Sequence, residues 1–482
     1  MGKVYLIGAG PGDEELLTLK ALRIIKEADV ILYDKLVNIN ILNYAKDEAK
    51  LIFCGKEAGK HYKSQEEINE LIIKYAKEGY VVARLKGGDP YVFGRGGEEA
   101  IRLFEEKIDF EVVPGVTSAI SALNYAGIPA TFRGVSQAIH IFTAKSEGKL
   151  NIDYEVVAKL EGTLVFLMGL GEIENITNKL IEFGMNKGTP CAVIENATIS
   201  RQRVCVGELC NISNKIKEQK IGTPAIFVVG DVVNFREKLN WYENKPLFGK
   251  RICITRPKKQ AVNLKNKILS LGGEVLELPS IRIQRLDGSI DGYIDRISSY
   301  DYIIFTSVNG VEIFFDELIK MEFDIRKIKA KVYAIGEKTK DELKKRGIIA
   351  KCGVQFTQEG IFEEIKKEVK SRDKILIPRA KGARNFLVEA LKNIGAEVDE
   401  IYLYESVLEK KRKDIECDIY IFTSTSTVKN FISLYGKEVL KGKRIIAIGP
   451  ITADELRKEG LNAEIPKEYT IDGILNILVG GC

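Results

Sequence analysis

Short β-branched runs alternate with amphipathic helical stretches from one end of this chain to the other, and that alternation confines it to layered α/β architecture. In the first half, strands are predicted at 3–8, 29–33, 80–85, 138–143, 163–168, 191–195 and 224–229. A helix is predicted over 14–27, with Asp13 as its N-cap and acids in its first turn. The pattern breaks around 235–249, where a polar, aperiodic stretch ends in Pro246, and a fresh strand opens at Gly249-Lys250-Arg251-Ile252. A chain of 482 residues is too long for a single core. The boundaries expected are 1–236, a linker at 237–248, and 249–482.

The second half repeats itself. Ile254-Thr255-Arg256-Pro257 is echoed by Ile377-Pro378-Arg379-Ala380, and each is followed by a helix and then a Gly-x-Glu-Val turn (Gly272-Gly273-Glu274-Val275 and Gly395-Ala396-Glu397-Val398). Phe305-Thr306-Ser307 returns as Phe422-Thr423-Ser424, and Ala334-Ile335-Gly336 returns as Ala447-Ile448-Gly449. Two units are too few for a solenoid. They imply two similar α/β domains related by a pseudo-twofold, with a cleft between them as the natural ligand site.

Composition narrows the chemistry. Net charge is only +5, which excludes a strongly cationic nucleic-acid coat while leaving room for local basic clefts. No apolar run approaches bilayer length, and the early strand at Val4 leaves no expected signal peptide, so a cytoplasmic protein is expected. Eight cysteines form no C-x-x-C pair, and no metal site is expected. With His61 and His140 the only histidines, the work falls to Asp, Lys, Tyr and main-chain groups.

Gly8-Ala9-Gly10-Pro11-Gly12-Asp13 follows the first strand. A dinucleotide loop reads G-x-G-x-x-G, and here Asp13 stands where the third glycine should be. An acid, Asp34, does end the second strand, so a nicotinamide-dependent oxidoreductase fused to an anionic-ligand-binding module stays open on these residues alone. Two more strand-to-helix turns are glycine-rich: Lys86-Gly87-Gly88-Asp89-Pro90, leading to Phe93-Gly94-Arg95-Gly96-Gly97-Glu98-Glu99, and Val113-Pro114-Gly115-Val116-Thr117-Ser118. Glycines at strand ends let bare main chain approach a ligand. Asp89 could meet ribose hydroxyls or a methionine ammonium.

Taken in order with Tyr33-Asp34-Lys35-Leu36, Gly55-Lys56 and Gly127-Ile128-Pro129, these motifs resemble the tetrapyrrole methylase family over residues 2–235, and most closely its uroporphyrinogen-III C-methyltransferases. The resemblance implies a two-lobed α/β fold, usually homodimeric, binding S-adenosylmethionine between the lobes. Its cofactor contacts would be Pro11, Gly87, Gly88, Asp89, Val92, Thr117, Ser118, Met168 and Ala197, with Ala225 in a segment closing over the adenosine. It puts proton handling on Asp34 and Lys56; the basic cluster Lys56, Lys60, His61 and Lys63 suits an octacarboxylate, with Arg95 and Arg133 as further candidates. Asp34 as a plain turn acid and Lys56 as a solvated charge stay open. Ala197 and Ala144-Lys145 depart from the family's usual glycine and glycine–histidine pair.

On its residues alone the second half is a two-domain binder of an anionic small molecule, whether enzyme, binding module or sensor. Its ordered motifs, ending in Tyr402-Leu403-Tyr404-Glu405, Phe422-Thr423-Ser424 and Ile448-Gly449-Pro450-Ile451-Thr452, resemble uroporphyrinogen-III synthase. That resemblance implies a two-domain α/β fold in which 249–284 joins 406–482 in one lobe, while 289–400 forms the other. It implies closure of hydroxymethylbilane with inversion of ring D. Tyr404 would assist departure of water, and Thr306, Ser307, Thr423, Ser424 and Thr452 would hold carboxylates. Tyr404 as a simple cleft-lining aromatic stays open. Product of the second half would be substrate of the first, in the sirohaem and cobalamin direction.

Overall fold

The structure, a computed structural model, describes residues 2–55, 64–144, 152–256, 258–279, 281–353, 355–408 and 415–480. The first lobe is a sheet of β1 (Val4–Gly8), β2 (Val30–Tyr33), β3 (Lys50–Phe53), β4 (Val82–Lys86) and β5 (Phe110–Val113), in the order β3-β2-β4-β1-β5. Every pairing in it is parallel. Helices cover both faces of such a sheet, so its central strands read as unbroken apolar runs. Leu6, Ile7, Ile31 and Leu32 are accordingly buried.

The second lobe holds β6 (Ile139–Thr143), β7 (Thr163–Leu167), β8 (Pro190–Glu195), β9 (Arg203–Glu208) and β10 (Ala225–Val229), ordered β6-β7-β10-β8-β9. Only β6 and β7 pair in parallel. Strands β3, β5 and β9 carry charge or sit at sheet edges, which is why their apolar pattern is thin.

The helix expected over 14–27 is two pieces. Asp13 caps a 3₁₀ turn, Glu14–Leu16, and the α-helix itself runs Leu19–Glu27. Leu17 and Thr18 between them are extended, and the Thr18 hydroxyl accepts the Ala21 N–H at 3.1 Å. Two capping residues five positions apart each close their own turn, so the chain breaks between them.

Beyond the second lobe come β11 (Arg251–Ile254), β12 (Glu274–Glu277), β13 (Ile281–Arg285), β14 (Tyr302–Phe305), β15 (Lys331–Ala334), β16 (Lys351–Cys352), β17 (Lys374–Ala380), β18 (Glu397–Leu408), β19 (Ile419–Phe422) and β20 (Arg444–Ala447). They build a four-stranded parallel sheet, β12-β11-β19-β20, and a six-stranded sheet, β13-β18-β17-β14-β15-β16. The chain divides into two compact units: one comprises Met1–Leu278, Asp414–Thr425 and Lys437–Cys482, the other Pro279–Lys413 and Ser426–Gly436. The four-stranded sheet therefore belongs to the same unit as the two N-terminal lobes. Strand β13, placed by its sequence in the lobe 249–284, lies instead in the second unit, because it pairs antiparallel with β18.

Residues 237–248, expected as a linker, are packed. Tyr242 and Leu247 are buried. Tyr125 stacks edge-on against Trp241 and Tyr242, with ring centres 5.0 and 4.7 Å away, and the Tyr242 hydroxyl donates to the Thr198 carbonyl. Leu247 joins Ile252, Leu264 and Val275 in the core of the four-stranded sheet. The stretch looks polar in sequence because its few aromatic anchors are widely spaced. Replacing Tyr242 with Ala should lower the stability of this unit by about 3 kcal/mol, read as an earlier thermal transition. An unchanged transition would mean the segment contributes nothing beyond connection.

Candidate active site

The first lobe brings its loops together at the carboxyl ends of its parallel strands, the edge at which open α/β sheets bind ligands. Asp34 follows β2, Gly87-Gly88-Asp89 follows β4, Gly8 to Asp13 end and follow β1, and Gly115 follows β5. In the sheet order β2-β4-β1-β5 these four turns are neighbours.

Three of the turns touch through bare backbone. A Cβ on Gly8 would lie 2.5 Å from the Gly115 Cα, and one on Gly115 would lie 2.3 Å from the Gly88 carbonyl oxygen. Gly10 and Gly88 form an antiparallel bridge, with N–H to carbonyl distances of 3.2 and 2.7 Å, and both have φ near +70°. Glycine alone takes that conformation without strain. Pro11, Gly87, Gly88, Asp89, Val92, Thr117 and Ser118 are all half-buried around this floor.

Asp89 is committed to the floor itself. One carboxylate oxygen accepts the Gly115 N–H at 3.0 Å and the other accepts the Tyr91 N–H at 2.8 Å. Thr117 caps the helix Ser118–Tyr125 by accepting the Ala119 N–H. The second lobe faces the loop through Asp13: its N–H donates to the Thr198 hydroxyl at 3.1 Å, and its carboxylate accepts from the Tyr125 hydroxyl at 2.7 Å. Burial, followed by the Asp13 charge, holds the Tyr125 phenol well above its ordinary range. Met168, at the end of β7, is half-exposed in a left-handed conformation, φ +56°. Ala197 and Ala225 are half-buried on the same lobe.

Asp34 is held from below by a group that sequence reasoning missed. Arg84 lies inside β4 with its side chain 2% exposed, and its Nη2 reaches the two Asp34 carboxylate oxygens at 2.8 and 3.0 Å. Behind it, Oε1 of the fully buried Glu99 accepts from Arg84 Nε, Lys86 Nζ and Gln65 Nε2 at 3.2, 2.8 and 3.0 Å. Burial, then the Arg84 charge, depresses the Lys86 ammonium below its usual range. Burial alone would raise the Glu99 carboxyl, but Arg84 and Lys86 outweigh it and lower it. The signal was available: two cations in the central strand of a parallel sheet must find buried partners.

Arg95 and Arg133 are both exposed, and Arg95, at φ +58°, forks onto Glu98 with its closest contact at 2.7 Å. Lys56 lies outside the described residues.

In the second unit Tyr404 is only 5% exposed within the apolar core, and its hydroxyl shares a 2.8 Å hydrogen bond with Ser307. Ser307 also caps the helix Val308–Lys320 through the Gly310 N–H. Tyr404 is therefore tied to a helix cap, and its polar end is already partnered. Thr306 is half-buried beside it in sequence. In the first unit, Thr423 and Ser424 follow β19 and are half-buried, while Thr452 is buried in the first turn of the helix Pro450–Lys458. Of the repeated arginines, Arg379 is buried against Glu400 at 3.0 Å, a structural role.

The profile for tetrapyrrole (corrin/porphyrin) methylases matches residues 3–212, and that for uroporphyrinogen-III synthase HemD matches residues 262–476. The porphyrin biosynthesis protein HemD of Ruminiclostridium josui is 38% identical over 501 aligned positions, covering 100% of this chain and 98% of that one. The chain belongs to the tetrapyrrole methylase and uroporphyrinogen-III synthase families, joined in one polypeptide. It is a bifunctional enzyme of tetrapyrrole biosynthesis, a methyltransferase followed by a synthase. An S-adenosyl-L-methionine-dependent uroporphyrinogen III methyltransferase of Methanosarcina barkeri is 50% identical over 49% of this chain and 94% of its own length. Uroporphyrin III C-methyl transferase from Thermus thermophilus, solved by crystallography, is 40% identical and covers 48% of this chain and 99% of its own, with a TM-score of 0.42.

Membership in these families displaces the oxidoreductase alternative, and the local geometry agrees. The loop after β1 runs into a 3₁₀ turn, and the α-helix whose N-terminus would receive a pyrophosphate begins only at Leu19. Among the described residues no helix is long and apolar enough to cross a membrane. No group of three or more His, Cys, Asp or Glu able to hold a metal occurs among them either.

In the methylase, Gly115→Ala should abolish cofactor binding: the new Cβ collides with main chain on two neighbouring strands, which no rotamer change relieves. Titration with S-adenosylhomocysteine checks this. Binding at wild-type strength would show that the glycine floor is not part of the site.

Proposed function

We propose that residues 1–236 transfer two methyl groups from S-adenosylmethionine to uroporphyrinogen III, giving precorrin-2. Residues 249–482 would first make that substrate by closing hydroxymethylbilane with ring D inverted. The observation that carries the first part is the row of strand ends in which a bare glycine floor lies beside a carboxylate, Asp34, fixed by a buried arginine.

The donor fits the site on one test in particular. Its floor is made of atoms that a Cβ would displace, and the exposed surface is main chain and half-buried small residues. Pro11, Gly87, Gly88, Asp89, Val92, Thr117, Ser118, Met168, Ala197 and Ala225 would hold it, and Asp89 also orders its loop through the Tyr91 and Gly115 N–H groups. The bound donor supplies an already activated sulfonium methyl, so the chain's own task is positioning, which can supply several kcal/mol. Asp34, oriented by Arg84, accepts the proton that the methylated ring must lose. Lys56 is assigned a second proton-handling role, and Arg95 and Arg133 the substrate carboxylates.

For the synthase, Thr306, Thr423, Ser424 and Thr452 are assigned to substrate carboxylates and main-chain N–H groups at the helix starts to the same purpose. Tyr404 would assist loss of the hydroxymethyl water, with Ser307 orienting its hydroxyl. Since that leaving step is intrinsically easy, the protein chiefly folds the linear substrate and favours one closure. A cytoplasmic homodimer assembled through the methyltransferase half completes the reading.

Transfer of tritium from methyl-labelled S-adenosylmethionine to uroporphyrinogen III tests the first activity, and absence of label in the tetrapyrrole would refute it. Asp34→Asn should leave S-adenosylhomocysteine binding within about twofold while lowering methylation kcat about a hundredfold or more. Full turnover in that variant removes Asp34 from the mechanism. The full chain given hydroxymethylbilane should yield the type III isomer, and Tyr404→Phe should slow its formation. Formation of type I product alone would exclude the synthase assignment.

A further inference from the structure

The synthase part reaches into the scaffold of the methyltransferase site. Strand β12 is the free edge of the four-stranded sheet, and three of its four residues are engaged by loops from the methylase lobes. Glu274 accepts from the Ser200 hydroxyl at 3.1 Å, the Val275 carbonyl from Asn40 Nδ2 at 2.5 Å, and Glu277 from Asn43 Nδ2 at 3.3 Å. Above the strand, on the helix Lys258–Ser270, the Lys265 ammonium is buried with its side chain 7% exposed. It bonds Glu14 and Glu277 equally, at 2.8 Å each.

Each of these contacts lands next to the cofactor crevice. Glu14 directly follows Gly12-Asp13, and its carboxylate, 3% exposed, also accepts from the Tyr44 hydroxyl at 3.1 Å. Tyr44 ends the 3₁₀ helix Ile39–Tyr44, which is capped by Asn38. The Asn38 amide in turn donates to the Gly12 carbonyl at 2.7 Å. Ser200 lies two residues past Thr198, the residue that receives the Asp13 N–H. Thus the segment after Asp34 and the second-lobe loop facing Asp13 bond to the edge strand, and the loop after β1 bonds through Glu14 to the ammonium that also holds Glu277 of that strand.

We propose that Lys265, with β12, is a positioning residue of the methyltransferase: the synthase lobe fixes the Gly8–Glu14 loop in the shape that grips S-adenosylmethionine. This rests on the crevice being the donor site. A buried ammonium shared by two carboxylates is expensive to break, because each partner is left as an unpaired charge away from water. The link therefore transmits loop position across the domain boundary rather than merely tethering it. It also means that the two activities share a structural element while their reacting groups do not.

The test uses the full chain. Lys265→Met should weaken S-adenosylhomocysteine binding by about fivefold to tenfold and raise the methylation KM for the donor more than it lowers kcat. Lys265→Arg, which keeps the charge, should restore most of it. Asn40→Ala, which removes only the donor to the Val275 carbonyl, should act in the same direction should the methionine variant fail to fold. Conversion of hydroxymethylbilane should be unchanged in all three. Equal donor affinity in the folded variants would overturn the proposal, as would a matched loss of both activities, which signals simple destabilisation. A wild-type chain that takes up no S-adenosylhomocysteine would instead refute the donor-site reading itself.

Discussion

No side chain fits between the ends of β1, β4 and β5. Gly8, Gly88 and Gly115 meet there through backbone alone: a Cβ on Gly8 or Gly115 would collide with main chain, and Gly88 is held at φ +69°. Everything else about the first lobe follows from keeping that junction dense. The strands must be parallel so their carboxyl ends coincide, and the loops leaving them must turn sharply. The polar atoms these loops expose are consequently main-chain groups. Such a floor carries little charge and little freedom, which suits a donor whose own sulfonium already provides the reactivity. Asp89 satisfies two of the floor's N–H groups.

The Asp34 carboxylate beside this floor is placed from elsewhere. Arg84 does this from inside the sheet, and a buried guanidinium needs more than one partner to offset its desolvation. Glu99 supplies the second, and Lys86 balances Glu99 in turn, so that two cations and two carboxylates close a neutral set. Asp34 is the member that remains partly exposed, at the sheet edge where the loops gather. Within the set, burial and the Arg84 charge push the Lys86 ammonium down, whereas Arg84 and Lys86 hold the Glu99 carboxyl down against its burial. For Glu99 the sign is that of a group with a lowered folded value: its stabilising contribution is held above the ordinary glutamate range and lost as acid protonates it.

Much of this was legible in sequence. The alternation of strand and helix points to the class, and the ordered glycine turns do lie side by side at the carboxyl edge of one sheet. The echoes Phe305-Thr306-Ser307 and Phe422-Thr423-Ser424 do fall at the ends of β14 and β19, strands of two different sheets. What failed were features decided by partners far away in the chain. Asp13 reads as the cap of one long helix, but Glu14 turns inward to Lys265, 251 residues on, and the helix restarts at Thr18. The Tyr404 hydroxyl, whose role sequence leaves open, is bonded to a helix cap 97 positions upstream. Residues 237–248 read as a linker because three aromatics in a polar stretch give no periodicity, although Trp241 and Tyr242 pack on Tyr125 and Phe248 on Tyr242.

The same distance effect explains why the boundary between the two enzymes is not a seam. A parallel sheet that ended in an open β12 would expose unpaired main-chain groups and invite pairing with another chain. Here the Val275 carbonyl on that edge accepts from the Asn40 amide and the Glu277 side chain accepts from Asn43, so the methylase contacts the edge strand without adding a strand to its sheet. An amide cap of that kind fixes position at the level of single hydrogen bonds while leaving each sheet with its own core. Because Glu14 and Asn40 belong to the loops that flank the glycine floor, sealing the synthase edge and shaping the methylase crevice are one structural act. That is a physical reason for the two activities to be carried on a single polypeptide, independent of any passage of intermediate between them.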